Sequence, residues 1–142
     1  MQNIKQYCSF HVGGYYFGVP VEQVQEVVRY QQMTRVPMSP PEVGGLINLR
    51  GQIVTAIDVR QRLQMPPRPV EQMPMNVVIH TAEQPVSLLV DEIGDVVDAG
   101  VDTFEAVPET LVGIAREMVS GVYKLKDRLL LILDVGKTIQ LA

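Results

Sequence analysis

Residues 44–58 decide the fold, and they read Gly-Gly-Leu-Ile-Asn-Leu-Arg-Gly-Gln-Ile-Val-Thr-Ala-Ile-Asp. Apolar and β-branched residues flank Gly51 on both sides, which predicts two strands joined by a tight bend at the glycine. Asp58 follows the second strand and precedes a predicted helical turn over 59–63, where its side chain would cap the first N–H groups. A single helical turn is also predicted over 42–45. The stretch is therefore typical of a protein built from short strands.

The segment before this stretch also predicts short strands. Residues 5–12 alternate between polar and apolar side chains, which indicates a half-buried strand, with Cys8 on its apolar face. Gly13 and Gly14 suit a two-residue turn, and residues 15–19 return as the second strand of a hairpin. Pro20 then introduces residues 21–28, whose valine spacing predicts a short helix that becomes a strand by Val27.

The remainder of the chain continues in the same style. Residues 34–41 are rich in proline and predict a loop, and residues 64–74 contain four prolines, which excludes a helix interior or a central strand. We expect residues 64–74 to form an exposed loop between two halves of the chain. Further strands are predicted over 75–81, 86–90, 94–97, 118–125 and 129–134, and a closing helix over 135–141, capped by Asp134. Two sets of four or five short strands favour two small barrels.

Length and composition exclude several classes of protein. A chain of 142 residues suits one domain or two small subdomains, and 46% hydrophobic residues exclude a disordered chain. The net charge of −4 and the 6% aromatic content disfavour nucleic-acid binding. The sequence shows neither a signal peptide nor an apolar run long enough to cross a membrane. These features predict a soluble cytoplasmic protein.

Residues suited to catalysis or metal binding are few. Cys8 and His11 fall on opposite faces of their predicted strand, so they do not form a nucleophile–base pair. Four acids recur at short spacing, at Asp91, Asp95, Asp98 and Asp102, but they lack the order of a calcium-binding loop and are better read as turn and strand-end residues. We therefore predict no catalytic residue, no metal and no cofactor.

For Arg50 and Asn48, and for a group of valines, the sequence allows both a structural and a partner-binding interpretation. Arg50 stands in an apolar run, so its side chain either bonds nearby groups and pins two subdomains together or meets a partner protein. Asn48 is similar, because its amide can satisfy turn backbone groups. Val24, Val27 and Val28 form either core or an exposed apolar patch with Glu26 at its rim.

Four ordered segments resemble the CheW-like family of bacterial chemotaxis coupling proteins. The first is the Asn48-Leu49-Arg50-Gly51 stretch with its flanking strands and Asp58-Val59-Arg60. The others are residues 16–37, residues 88–96 and residues 131–135. The resemblance covers residues 5–141, and four segments in the expected order are far more specific than one. Thr55-Ala56 and Val59 depart slightly from the family pattern.

The resemblance implies a mainly β fold of two five-stranded SH3-like barrels with short helices, forming one domain over residues 1–142. It implies a non-catalytic adaptor that couples chemoreceptor cytoplasmic tips to the regulatory domain of a CheA-type histidine kinase. The partner-binding positions carried over are Val24, Glu26, Val27, Arg35, Gly45, Asn48, Leu49, Arg50 and Gly51. A paralogue that serves a motility array stays open as an alternative, as does, with less support, a ligand-binding barrel.

Overall fold

The computed structural model describes residues 4–100 and 103–141. Its strands are β1 (Ile4–Val12), β2 (Tyr15–Pro20), β3 (Val24–Val28), β4 (Val43–Leu49), β5 (Gln52–Asp58), β6 (Met75–Ile79), β7 (Val86–Val90), β8 (Glu92–Gly100), β9 (Phe104–Glu105), β10 (Val119–Lys124) and β11 (Leu129–Leu133). Its helices are α1 (Val59–Arg62), α2 (Gly113–Met118) and α3 (Val135–Ile139), and a 3₁₀ turn, Val21–Gln23, precedes β3. None of the helices in these ranges is long and apolar enough to span a membrane.

The strands form two sheets, which confirms the mainly β prediction. Sheet A has six strands in the order β8-β1-β2-β11-β10-β9, and sheet B has five in the order β3-β6-β7-β5-β4. Most neighbours are antiparallel, but β2 pairs with β11 and β5 pairs with β7 in parallel. The chain therefore starts in sheet A, builds the whole of sheet B and returns to finish sheet A.

Three apolar clusters hold this arrangement together. One lies within sheet A and contains Tyr7, Tyr16, Ala99, Tyr123, Leu130 and Ile132. A second lies within sheet B and contains Ile47, Leu49, Val54, Ala56, Val78 and Leu89. The largest draws on both sheets, with Phe10, Phe17 and Leu133 from sheet A packed in one cluster with Val77 and Leu88 from sheet B. Each sheet thus has an apolar face of its own and shares another with its neighbour.

β1 was predicted to be half-buried, but both of its faces contain buried residues, because each face packs against a different apolar cluster. Phe10 and Val12 face the shared core, while Tyr7 on the opposite face belongs to the sheet A cluster. Ser9 is also buried, and its hydroxyl donates to the carbonyl of Asp95 at 2.6 Å. Cys8 is partly buried against the shared core, as predicted, and burial raises the pKa of its thiol.

Two predicted helices are shorter than expected or absent. The helix predicted over 21–28 is only a 3₁₀ turn, and strand starts at Val24 because β-branched valines favour extended backbone. The helical turn predicted over 42–45 is wrong, since β4 already begins at Val43. By contrast, Asp58 and Asp134 cap α1 and α3 as predicted, with their carboxylates accepting from the N–H groups of Arg60 and Lys137.

The proline-rich segment 64–74 contains neither helix nor strand, as predicted, but it does not lie between the two sheets. It connects α1 to β6, and the strands on either side of it, β5 and β6, both belong to sheet B. The sequence also gave no sign of α2 and β9. Val112 precedes α2 without a side-chain cap, so the usual signal of a helix start is missing.

Candidate functional site

The turn between β4 and β5 presents a charged side chain to solvent. Arg50 and Gly51 both have positive φ, at 52° and 89°, as a two-residue type I′ hairpin turn requires. The side-chain oxygen of Asn48 accepts a hydrogen bond from the N–H of Gly51 at 2.8 Å, which confirms the predicted role of Asn48 in satisfying the turn. The turn therefore fixes the position from which the Arg50 side chain extends.

Arg50 reaches Glu26 on a different strand. Its guanidinium Nη2 donates to the Glu26 carboxylate and forms an ion pair with it. Glu26 lies on β3, one outer strand of sheet B, while Arg50 follows β4, the other outer strand. An ion pair between these two outer strands requires that sheet B curls far enough to bring β3 close to the turn after β4.

Arg50 does not pin the two sheets together. Its side chain is 70% exposed and its partner belongs to the same sheet, so the buried structural interpretation is wrong. The hydrogen bond from Arg50 holds the pKa of Glu26 below its usual range, and Glu26 raises the pKa of Arg50. Both groups stay charged at neutral pH. Because exposed ion pairs contribute little to stability, these charges remain available to a partner.

An exposed apolar side chain lies beside the Arg50 turn. Ile53, opposite Asn48 in the β4–β5 register, is 52% exposed. Val27 is 43% exposed, but it directly follows Glu26 on β3, so its side chain points to the opposite face of the strand. We call Glu26, Asn48, Arg50 and Ile53 the Glu26–Arg50 surface. Sequence reasoning missed Ile53, although its alternation with the buried Val54 gave a usable signal that it faces outward.

Three other residues expected at a partner surface lie instead in packed parts of the fold. Leu49 is buried in the sheet B cluster, and Val24 packs against the shared core. Gly45 is buried with φ at 151°, and a Cβ there would lie 2.9 Å from the carbonyl oxygen of Thr34. This close approach lets Thr34 form two backbone hydrogen bonds of 2.8 Å with Leu46.

Arg35, which follows Thr34, is exposed but does not belong to the Glu26–Arg50 surface. It lines a separate groove with Tyr30, Met33 and Pro37, formed by the connection between β3 and β4. Among the expected site residues, the structure thus groups Glu26, Asn48, Arg50 and the turn residue Gly51, while Val27 is exposed on the opposite face of β3. It places Arg35 on a different feature of the same sheet.

A buried charge cluster joins the two sheets, and sequence reasoning missed it. The Asp91 carboxylate is only 7% exposed and accepts from Arg60 Nη2 at 2.6 Å and from Arg68 Nε at 2.9 Å. It also accepts from the N–H of Gly13, in the β1–β2 turn of sheet A, at 2.8 Å. Arg60 further donates to the carbonyl of Pro66 at 3.0 Å, so the proline-rich segment is held in the same cluster.

Electrostatics explain how this carboxylate tolerates burial. Burial by itself raises the pKa of Asp91, but hydrogen bonds from Arg60, Gly13 and Arg68 outweigh it and hold the pKa below its usual value. Hydrogen bonding to Asp91 likewise raises the pKa of Arg60. Of the four closely spaced acids, Asp91 therefore binds two arginine side chains. Asp102 lies outside the described residues.

The described residues hold no cluster of three or more His, Cys, Asp and Glu side chains arranged to bind a metal ion. The geometry offers two sheets that share an apolar core, and an exposed charged turn with an exposed apolar neighbour. Surfaces of this kind, with apolar groups rimmed by charges, are typical of modules that bind other proteins.

Comparisons with known proteins agree with this class. The family model described as the CheW-like domain matches residues 6–142. The chain is 29% identical over 133 residues to the chemotaxis protein CheW of Klebsiella aerogenes, covering 94% of this chain and 80% of that protein. It is 32% identical over 127 residues to the chemotaxis protein CheW of Bacillus subtilis, covering 89% and 81%.

A solved structure gives the same result. The crystal structure of the scaffolding protein TtCheW from Thermoanaerobacter tengcongensis superposes with a TM-score of 0.85 at 25% sequence identity, covering 99% of this chain and 94% of that one. The chain belongs to the CheW-like domain family. It is an adaptor of chemotaxis signal transduction, which confirms the resemblance drawn from the sequence.

Proposed function

We propose that this chain acts without catalysis, in the cytoplasm, by joining the cytoplasmic tip of a chemoreceptor to the regulatory domain of a CheA-type histidine kinase. We further propose that the Glu26–Arg50 surface is one of its docking sites. The observation that carries this proposal is the ion pair between the two edges of sheet B, with its exposed Arg50 and with exposed Ile53 beside the Arg50 turn.

The arrangement suits recognition for two reasons. Exposed apolar side chains supply area that a partner can bury, and the charges around them select the partner and its orientation. Arg50 also has a guanidinium that can exchange Glu26 for a carboxylate on the partner. Because the pair is exposed, such an exchange costs little in the free protein.

Other observations support the adaptor role indirectly. The Asp91 cluster and the shared core fix the two sheets to each other, so partners bound to different sheets would be held in a defined mutual position. Individual contacts in such assemblies need not be strong, because several contacts act together in an array.

Calorimetry on purified proteins tests the proposal. The chain is titrated separately with the kinase regulatory domain and with a receptor cytoplasmic fragment from the same organism. We expect binding to both, and we expect Arg50→Glu to weaken at least one of them by about tenfold or more. Lys124→Glu, an equal charge reversal at an exposed position of β10 in sheet A, is the matched control.

Each outcome has a defined meaning. Absence of binding to both proteins at concentrations up to ~100 μM would contradict the proposed partners. Equal weakening by Arg50→Glu and Lys124→Glu would indicate general charge effects and would remove the Glu26–Arg50 surface from the proposal. Circular dichroism of each variant checks that the fold is retained.

A further inference from the structure

We propose that the proline-rich segment is a docking element for a further partner protein, one whose groove is lined by aromatic side chains. The segment reads Met65-Pro66-Pro67-Arg68-Pro69-Val70 and lies between α1 and β6. This partner is additional to the two proteins named above, and the segment includes none of the residues of the Glu26–Arg50 surface.

The covalent structure of the segment favours an extended backbone. Each residue from 65 to 69 is either a proline or the residue before one. Proline holds its own φ at about −65°, and its ring keeps the preceding residue out of the helical region. Residues 65–69 accordingly contain neither helix nor strand. A proline-rich chain of this kind adopts the polyproline II helix, which has three residues per turn.

The burial of the side chains follows this repeat of three. Met65 and Arg68 are one turn apart and both face the protein, since Met65 packs against the shared core and the Arg68 side chain is only 8% exposed. The other four residues form two outer ridges, which are Pro66 with Pro69 and Pro67 with Val70. All four are exposed, and Val70 is 94% exposed. The segment therefore presents two apolar ridges to solvent.

Hydrogen bonds hold the segment in place. Nη1 of Arg60 donates to the carbonyls of Pro66 and Pro67, at 3.0 Å and 3.3 Å. Nε of Arg68 donates to the Asp91 carboxylate at 2.9 Å, which ties the middle of the segment to the buried charge cluster. The outer ridges are thus presented on a backbone that is already ordered in the free chain. A partner that binds them has little conformational entropy to remove.

The shape of the outer ridges identifies the chemistry of the partner. Proline rings repeated along an ordered extended backbone fit between aromatic side chains, which is how SH3 and WW domains bind proline-rich segments. Arg68 is the one basic residue of 64–74 and is turned inward, while Glu71 directly after the segment is exposed. An anionic membrane is therefore a poor match, because lipid headgroups attract clusters of exposed basic residues.

Nuclear magnetic resonance of the ¹⁵N-labelled full chain tests the proposal. The probes are two purified modules with aromatic-lined grooves, an SH3 domain and a WW domain. We expect at least one of them to shift the amide resonances of Arg68, Val70 and Glu71 at probe concentrations up to about 1 mM. The double variant Pro67→Ala/Val70→Ala removes one outer ridge and should weaken that binding by at least about fivefold.

The fold should survive this double substitution. Both side chains are exposed, and the variant keeps the backbone carbonyl of residue 67 to which Arg60 donates. Pro40→Ala/Pro41→Ala is the matched control, since it removes two exposed prolines from the connection between β3 and β4. It should leave the affinity for the probe unchanged. Binding to the kinase regulatory domain and to the receptor fragment should be the same in Pro67→Ala/Val70→Ala as in the unmodified chain.

Three results would overturn the proposal. If neither probe shifts the resonances of residues 65–71, the outer ridges do not have the assigned chemistry. If the two double variants weaken probe binding equally, the effect comes from exposed prolines in general and not from this segment. If Pro67→Ala/Val70→Ala instead abolishes self-association in ultracentrifugation, the ridges meet a second copy of the chain and not an aromatic groove on another protein.

Discussion

Asp91→Asn offers the sharpest test of how the two sheets are joined. The substitution keeps the shape of the side chain and one acceptor for the Gly13 N–H, but it removes the charge that Arg60 and Arg68 share. Both guanidinium groups are largely buried, so they would keep their positive charge in a site with little water. We expect a clear loss of stability.

The size of the loss follows from the contacts. Removing one partner of a buried ion pair costs about 3–5 kcal/mol. Two contacts would remain in the variant, because Arg60 still reaches the carbonyl of Pro66 and Arg68 lies 3.5 Å from a carboxylate oxygen of Asp58. We therefore expect the lower end of the range, about 3 kcal/mol. For a domain of this size that corresponds to a fall in melting temperature of about 9 °C.

Urea denaturation followed by circular dichroism measures the change, with Asp134→Asn as control. Asp134 caps α3 by accepting from the N–H of Lys137 at 3.0 Å, and asparagine caps a helix about equally well, so its variant should lose less than about 0.5 kcal/mol. If Asp91→Asn came within about 1 kcal/mol of that control, the buried cluster would not contribute as the reasoning requires.

The difference in stability between the unmodified chain and Asp91→Asn should also decrease at low pH. Because the folded-state pKa of Asp91 is lowered from 3.8, its stabilisation is fully present above the unfolded value and is lost as the pH falls through the folded value. The gap between the unmodified chain and Asp91→Asn should therefore stay constant near neutral pH and narrow only below about pH 4. A gap that narrowed between pH 5 and 7 would implicate another group.

Two further predictions concern other parts of the fold. Gly45→Ala should lower the free energy of unfolding in urea by about 1–3 kcal/mol, because the new Cβ would lie 2.9 Å from the carbonyl oxygen of Thr34. The control Gly51→Asn, at a positive φ with open space around it, should lower it by less than about 1 kcal/mol. Equal losses in the two variants would refute the steric reason. Tyr7 should ionise well above pH 10, because burial and its hydrogen bond with Tyr123 at 3.2 Å raise the pKa of its phenol. In an ultraviolet titration, the unmodified chain should show a tyrosine that ionises late, and Tyr7→Phe should not show it. Identical titration curves would contradict this assignment.

Local patterns in the sequence predicted local structure well. The alternation around Gly51, the paired Gly13 and Gly14, and the aspartates before α1 and α3 each depend on neighbours within a few residues, and each prediction is confirmed. The mainly β class of the fold is confirmed as well. Residues 64–74 form an exposed loop as predicted, but the strands on both sides of this loop belong to sheet B, because sheet membership depends on pairs between distant strands.

The candidate site was predictable in part. Asn48 and Gly51 follow from turn chemistry, whereas the exposure of Arg50 depends on how far sheet B curls, which no local pattern records. The Asp91 cluster was missed because its arginines come from α1 and from a loop that folds back onto it.

The order of strands in sheet A has a consequence for synthesis. Its central strands β1 and β2 are complete at Pro20, but β11, which pairs with β2, ends only at Leu133. At about 5–20 residues per second, a ribosome needs roughly 6–23 s to make the intervening chain. The other neighbour of the hairpin, β8, is complete at Gly100, so from then on only the β2 edge lacks its partner, although every strand of sheet B has already been made. The unpaired β2 edge is therefore the site most open to wrong pairing during synthesis.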